Sequence, residues 1–173
     1  MQANTAVKEK SAVHAEANET QYLTFELAGE QFGVDILEVQ EIRGWSPVTV
    51  IPNAPVYVKG VTNLRGTIVP VIDMRIRLSL PEAEYTDSSV VIVMSLEVDG
   101  VQRTAGFVVD SVSDVLNIAN TDVRAVPQMS ELEHSKYLTG IAARGDELVL
   151  ILDASLIFSQ AELTRLDNLE ANS

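Results

Sequence analysis

The 173-residue chain has no cysteine, and that removes disulfide frameworks, thiolate nucleophiles and cysteine metal sites. Histidine is almost as scarce: His14 lies in a polar N-terminal stretch and His134 in the polar segment Ser130–Lys136, neither beside a plausible nucleophile. General-base catalysis needs such a partner within hydrogen-bond reach. Basic residues are few, 12 against 25 acidic ones for a formal net charge of −13. That balance repels a phosphate backbone and disfavours anionic lipid, so neither nucleic-acid binding nor membrane docking is expected. No apolar run approaches the ~18 residues of a membrane span; Val90–Met94 and Leu148–Leu152 are strand-sized. The first 20 residues lack the apolar core of a secretory signal. Glycines stand singly, without the Gly-Lys-Ser/Thr ending of a phosphate loop, and the carboxylates are scattered. No metal, cofactor or enzymatic activity is expected.

Apolar residues make up 46% of the chain, enough for a sizeable core. Residues 1–20 are polar and Ala-rich and read as a tail. From Tyr22 onward short β-rich segments alternate with Gly, Pro and Asn. Tyr22–Leu27 and Gln31–Val34 form a hairpin around Ala28-Gly29, and Val90–Val98 and Val101–Val109 form one around Asp99-Gly100. The hairpin tip Glu97–Gln102 should project into solvent.

The two halves resemble one another. Asp35 precedes Pro52 by 17 residues, and Asp110 precedes Pro127 by 17. Tyr57-x-x-Gly60 leads to Asp73 and Tyr137-x-x-Gly140 to Asp153, each over 16 residues from the glycine's own tyrosine. Arg65-Gly66 and Arg144-Gly145 lie between, each followed by a strand, Thr67–Ile72 and Leu148–Leu152. Arg144-Gly145-Asp146 reads as a hairpin tip. Two copies of one β unit, about five strands each, point to two small barrels rather than a parallel sheet. The approximate halves are 21–86 and 87–158, with strands free to cross between them.

After each Val-Asp a short helix is expected. Asp35 caps it with Glu38 as capping-box partner, Ile36, Val39 and Ile42 share a face, and Gly44 stops it. The second copy, Asp110, Val112 and Val115, has Ser113 in place of the Glu. A C-terminal helix from Ala154 to about Leu169, carrying Leu156, Ile157, Leu163 and Leu166, frays into Glu170–Ser173; 159–173 is its outlying part. The matched carboxylates Asp35, Asp73, Asp110 and Asp153 read as strand ends and caps. Glu41 and Arg65 stand out as a candidate pair, although a hairpin-turn arginine is also simply a solvated residue.

Gly33–Arg43 (GVDILEVQEIR), Ile51–Pro55 (IPNAP), Gly60–Asp73 (GVTNLRGTIVPVID), Phe107–Leu116 (FVVDSVSDVL) and Tyr137–Ile141 (YLTGI) together resemble the CheW family of chemotaxis coupling proteins. The resemblance runs in the family's order from about Tyr22 to Phe158. It implies two SH3-like five-stranded barrels packed around a shared core. It also implies a cytoplasmic, non-catalytic scaffold that links transmembrane chemoreceptors to the histidine kinase CheA, without cofactor, at the inner face of the membrane. The receptor's cytoplasmic tip would enter a groove between the barrels, where Val39, Glu41, Gly60, Asn63, Arg65 and Val115 match groove positions. Glu41 and Arg65 are expected to form a partly buried pair there. The kinase would be engaged through its CheW-like regulatory domain, and repeated contacts would close into rings. Met129 falls where the family presents a bulky apolar residue at a ring contact, here Met instead of an aromatic. The adaptor CheV would add a receiver domain of about a hundred residues, and the CheA regulatory domain is fused to kinase modules. A coupling protein of another chemosensory array shares all these features.

Overall fold

A computed structural model describes residues 18–127 and 133–157. The first hairpin joins β1 (Glu19–Leu27) to β2 (Glu30–Asp35) and is followed by β3 (Val39–Gly44). Next come β4 (Val58–Leu64), β5 (Thr67–Asp73) and a one-turn helix α1 (Met74–Arg77). The second hairpin is β6 (Val90–Val98) and β7 (Val101–Val109), followed by β8 (Ser111–Ala119) and β9 (Val123–Arg124). Finally β10 (Leu138–Arg144) turns into β11 (Glu147–Leu152). Three hairpins turn on two residues that both have positive φ: Ala28-Gly29, Arg65-Gly66 and Asp99-Gly100. That pattern matches the right-handed twist of the flanking strands. Asp99 and Gly100 are exposed, so the tip of the second hairpin does face solvent.

The strands pair into a six-stranded sheet, β8-β1-β2-β11-β10-β9, and a five-stranded one, β3-β6-β7-β5-β4. Neither closes on itself by strand pairing: where the resemblance implies two five-stranded barrels, the pairing gives two sheets of unequal size, six strands and five. The six-stranded sheet gains its extra member from β9, whose two residues reach only Ile141 and Ala142. β3 follows the first hairpin but pairs with β6, and β8 follows the second but pairs with β1. Residues 39–109 thus supply the whole five-stranded sheet, while 19–35 and 111–152 supply the other. The halves 21–86 and 87–158 each contribute strands to both sheets.

One central cluster is built from both. Leu23, Phe25, Leu27 and Phe32 come from the six-stranded sheet, and Ile72, Ile92, Met94, Leu96 and Phe107 from the five-stranded one. β6 is buried on both faces: Ile92 and Met94 enter the central cluster, whereas Val91 and Val93 join Leu64, Val69, Val71 and Val108 on the opposite side. This second cluster is covered by Trp45, Val48 and Tyr85.

Both expected short helices are corrected. Asp35 does cap, its carboxylate accepting the Leu37 N–H at 2.9 Å, but what it caps is a single 3-10 turn, Ile36–Glu38. Val39 is already extended, and Val39 and Ile42 belong to β3. A helix of about seven residues is too short to hold itself against a strand partner for its β-branched residues. In the second copy β8 starts at Ser111, so Val112 and Val115 are strand residues from the outset. The tail is shorter than expected, because Glu19 and Thr20 pair with Ala119 and Ile118. Ala154–Ile157 is a 3-10 turn. Residues 1–17, Met129, and the rest of the expected C-terminal helix at 158–173 lie outside the described residues.

Candidate functional site

β3 and β4 are the two edges of the five-stranded sheet. The turn after β4 nevertheless places Arg65 Nη2 at 3.0 Å from Glu41 Oε1, a charge-assisted hydrogen bond from one rim to the other. The sheet is therefore curled until its rims meet. A second link helps: the segment between β3 and β4 bridges to β4, with Thr49 N–H on Val61 O at 2.9 Å and Val61 N–H on Thr49 O at 2.8 Å. The pair is less buried than expected. Arg65 is 74% exposed and Glu41 25%. An exposed arginine keeps its hydration, so the bond contributes at most about 1 kcal/mol to stability and leaves the guanidinium accessible.

The other groove candidates have distinct roles in this frame. Asn63 Oδ1 accepts the Gly66 N–H at 2.8 Å, fixing the turn that carries Arg65. Gly60 is buried on β4, where a Cβ would lie 2.2 Å from the Thr49 carbonyl oxygen. Val39 packs on the central cluster. Val115 stands on β8 of the other sheet, paired with Leu23 and 47% exposed. Direct hydrogen bonds thus tie together the Asn63 turn, Arg65 and Glu41; Val115 is not part of that network.

The repeated aspartates divide in two. Asp35, Asp73 and Asp153 cap the turns that follow them, accepting N–H groups of Leu37, Ile76 and Ser155. Asp110 instead receives Arg75 through both its oxygens and also the Ala28 N–H at 2.9 Å. Partial burial pushes the Asp110 carboxyl up, but the hydrogen bonds from Arg75 and Ala28 and the charge of Arg75 outweigh it and hold the carboxyl below its usual range. Glu38 goes the other way, raised by burial and by the nearby charges of Asp153 and Asp35.

Sequence reasoning missed α1. Its Arg75 bonds Asp110 and the Pro81 carbonyl, and its Arg77 donates Nε to Ile157 O at 3.0 Å. The Arg77 guanidinium also lies 4.3 Å from the Tyr57 ring centre and 5.2 Å from that of Tyr137, so one cation touches the matched tyrosines of both copies. The available signal was Asp73 followed by two arginines, an acidic cap with basic residues in the last turn. Asp73 also accepts the Tyr85 hydroxyl at 2.6 Å; burial and that bond raise the Tyr85 phenol far above its ordinary value.

Beside the second cluster a half-open cleft of about 20 Å³, room for about one water, is lined by Val48, Leu64, Val71, Val91, Val93 and Gly106. Two larger open hollows, of about 510 and 540 Å³, lie beside Asp35, Leu37 and Asn117 and beside Glu26, Glu147 and Leu148. Among the described residues no three His, Cys, Asp or Glu side chains are grouped for a metal, and no helix is long and apolar enough to cross a membrane.

Residues 21–162 match the family model for the CheW-like domain. The chain is 42% identical to the chemotaxis protein CheW of Klebsiella aerogenes, over 86% of this chain and 87% of that protein. Against the chemotaxis protein CheW of Rhizobium meliloti it is 32% identical over 88% and 96% of the two. Among solved structures it resembles the scaffolding protein TtCheW from Thermoanaerobacter tengcongensis, with a TM-score of 0.73 and 30% identity, over 81% of this chain and 88% of that one.

Proposed function

This chain belongs to the CheW family, and from that premise we propose that it couples chemoreceptors to the histidine kinase CheA in a signalling array. It is a chemotaxis scaffold protein, not an enzyme. In this reading it works in the cytoplasm, held at the inner face of the membrane by receptors rather than by insertion. The receptor tip lies in the groove that includes Val39, Glu41, Gly60, Asn63, Arg65 and Val115. The kinase regulatory domain, and further ring contacts, engage a surface that includes Met129. The two rim contacts of the five-stranded sheet, Glu41–Arg65 and Thr49–Val61, support reading it as an SH3-like barrel closed by side chains and linker.

The observation that carries the reading is the bond between Glu41 and Arg65, which presents an accessible, oriented guanidinium at the rim. Arginine's planar fork suits it to grip a carboxylate or carbonyl of a partner. Co-purification with a receptor-tip hairpin and with the kinase regulatory domain tests it. Arg65→Ala should lose the receptor fragment and keep the kinase domain, and Arg65→Lys should recover little. Met129→Glu should do the reverse, because it puts a charge where a contact must be desolvated. An Arg65→Ala protein that holds the receptor fragment as firmly as the parent would sink this placement of the groove.

A further inference from the structure

The strand exchange gives β3 and β8 matching places. Each follows one hairpin and pairs with the first strand of the other, and each carries one extra residue. On β3, Val39 faces Met94 and Glu41 faces Val93, leaving Gln40 over. On β8, Val112 faces Phe25 and Asp114 faces Thr24, leaving Ser113 over. Setting bulge on bulge aligns Val39 with Val112, Glu41 with Asp114 and Ile42 with Val115. Spacing along the chain hides this, because counting from Asp35 and Asp110 would set Glu41 against Leu116.

The hairpin arginines complete the match. Arg144, the last residue of β10, brings Nη2 to 3.6 Å from Asp114 Oδ2, where Arg65 comes to 3.0 Å from Glu41. Apolar neighbours repeat too: Ile42 and Val115 are 44% and 47% exposed, both on the strand residue that follows the acid. Asp114 is not a loose surface residue. Its N–H donates to Thr24 Oγ1 and its carbonyl accepts from that same hydroxyl, both at 3.0 Å, and Thr24 is buried. Its carboxylate accepts the Val115 N–H at 2.9 Å. At 3.6 Å the Arg144 pair lies beyond hydrogen-bond distance, and both side chains are more than half exposed.

We propose that Arg144, resting on Asp114 in the free protein, is a second receptor contact, the pair being the repeat-related counterpart of Arg65 and Glu41. Arg144 grips an acidic group of the receptor tip while Val115 packs against its apolar surface. The proposal rests on the coupling role above and extends it. Val115, itself a groove residue, is bonded to Asp114, so the new contact is continuous with the groove. An exposed arginine on a chain of net charge −13 is where a partner carboxylate can approach. Held among the described residues by a long ion pair, Arg144 is poised to exchange Asp114 for that partner.

The test is calorimetric titration of the full-length protein with a recombinant receptor-tip hairpin, and separately with the kinase regulatory domain. Arg144→Glu should weaken tip binding about tenfold or more and leave kinase binding intact. Arg144→Lys should recover little of the tip affinity, as at Arg65, because the planar fork is gone. Asp114→Ala should leave tip affinity equal or higher, since it releases Arg144. Normal tip binding by Arg144→Glu, when Arg65→Ala has lost it, overturns the second contact and leaves the coupling role standing. If both variants bind the tip normally, both readings fall. Loss of kinase binding in Arg144→Glu, with or without loss of the tip, also overturns the proposal.

Discussion

Gly60 and Gly140 show what the matched Tyr-x-x-Gly segments are for. Each tyrosine carbonyl accepts the N–H of the aspartate that ends the copy, Tyr57 from Asp73 at 2.8 Å and Tyr137 from Asp153 at 2.9 Å. One residue then bulges out, Lys59 in one copy and Thr139 in the other, and the glycine follows. Another segment crosses closely there. A Cβ on Gly60 would lie 2.2 Å from the Thr49 carbonyl oxygen, whereas on Gly140 it would lie 2.3 Å from Cγ1 of Val123. The two obstacles differ: Gly60 has φ +153° and meets a carbonyl bonded to Val61 that cannot turn aside, whereas at Gly140 a valine methyl can move, leaving the Arg124 carbonyl at 3.1 Å. Gly60→Ala should therefore cost about 1–3 kcal/mol in denaturant unfolding, and Gly140→Ala less. Adding Val123→Ala should restore the Gly140→Ala protein. If Gly140→Ala is the costlier change, steric crossing is not why these glycines are there. Gly60 thus owes its place near the proposed groove to packing, and any loss of receptor binding in Gly60→Ala should come with loss of stability.

Among the elements, the hairpins were the most legible. Asp-Gly between two apolar runs predicted β6 and β7 to the residue, since a two-residue turn fixes the register of both strands. The segment after Asp35 was not legible in the same way. Ile36, Val39 and Ile42 sit at helical spacing, but the strand that claims Val39 and Ile42 is offered by β6, whose partners Met94 and Ile92 lie fifty or more residues on, and no local pattern announces it. Helix α1 was missed because four residues give no periodicity. Its importance lies in the tertiary bonds of Arg75 and Arg77. The Arg75–Asp110 bond gives a pH signature. Asp110 is held below its unfolded value, so its contribution is present above the ordinary aspartate pKa and is lost as pH falls through the folded value. Asp110→Asn should accordingly melt below the parent at pH 7, with the gap closing as the pH drops below about 4. A gap that stays constant down to strongly acid pH would show that the asparagine loses packing rather than an ion pair.

At the scale of the molecule, the internal repeat was visible in the sequence but the exchange of β3 and β8 was not. Exchanging two equivalent strands leaves every spacing between Asp35 and Pro52, or Asp110 and Pro127, unchanged. The same blindness hid Asp114 and Arg144, whose equivalence to Glu41 and Arg65 depends on bulges that only strand pairing defines. The Glu41–Arg65 pair was legible because each residue stood out on its own, as a charge at a segment's end. The exchange makes the two sheets one folding unit. The five-stranded sheet lies between the two chain segments that build its neighbour, and the central cluster draws on both. Phe32 is fully buried in the six-stranded sheet, with its ring 6.0 Å from that of Phe25. Trp45, the sole tryptophan, lies on the far side of the five-stranded sheet, 4.2 Å from the Tyr85 ring. Removing Phe32 leaves a cavity, and Phe32→Ala should cost about 3–5 kcal/mol. With one cooperative unit, Trp45 fluorescence must report that loss in full although Trp45 packs on the second cluster and Phe32 in the central one. Its unfolding midpoint should shift together with that of the far-UV circular dichroism. A Trp45 transition that stays at the parental midpoint while the dichroism splits in two would mean that the sheets unfold separately and that the shared core does not couple them.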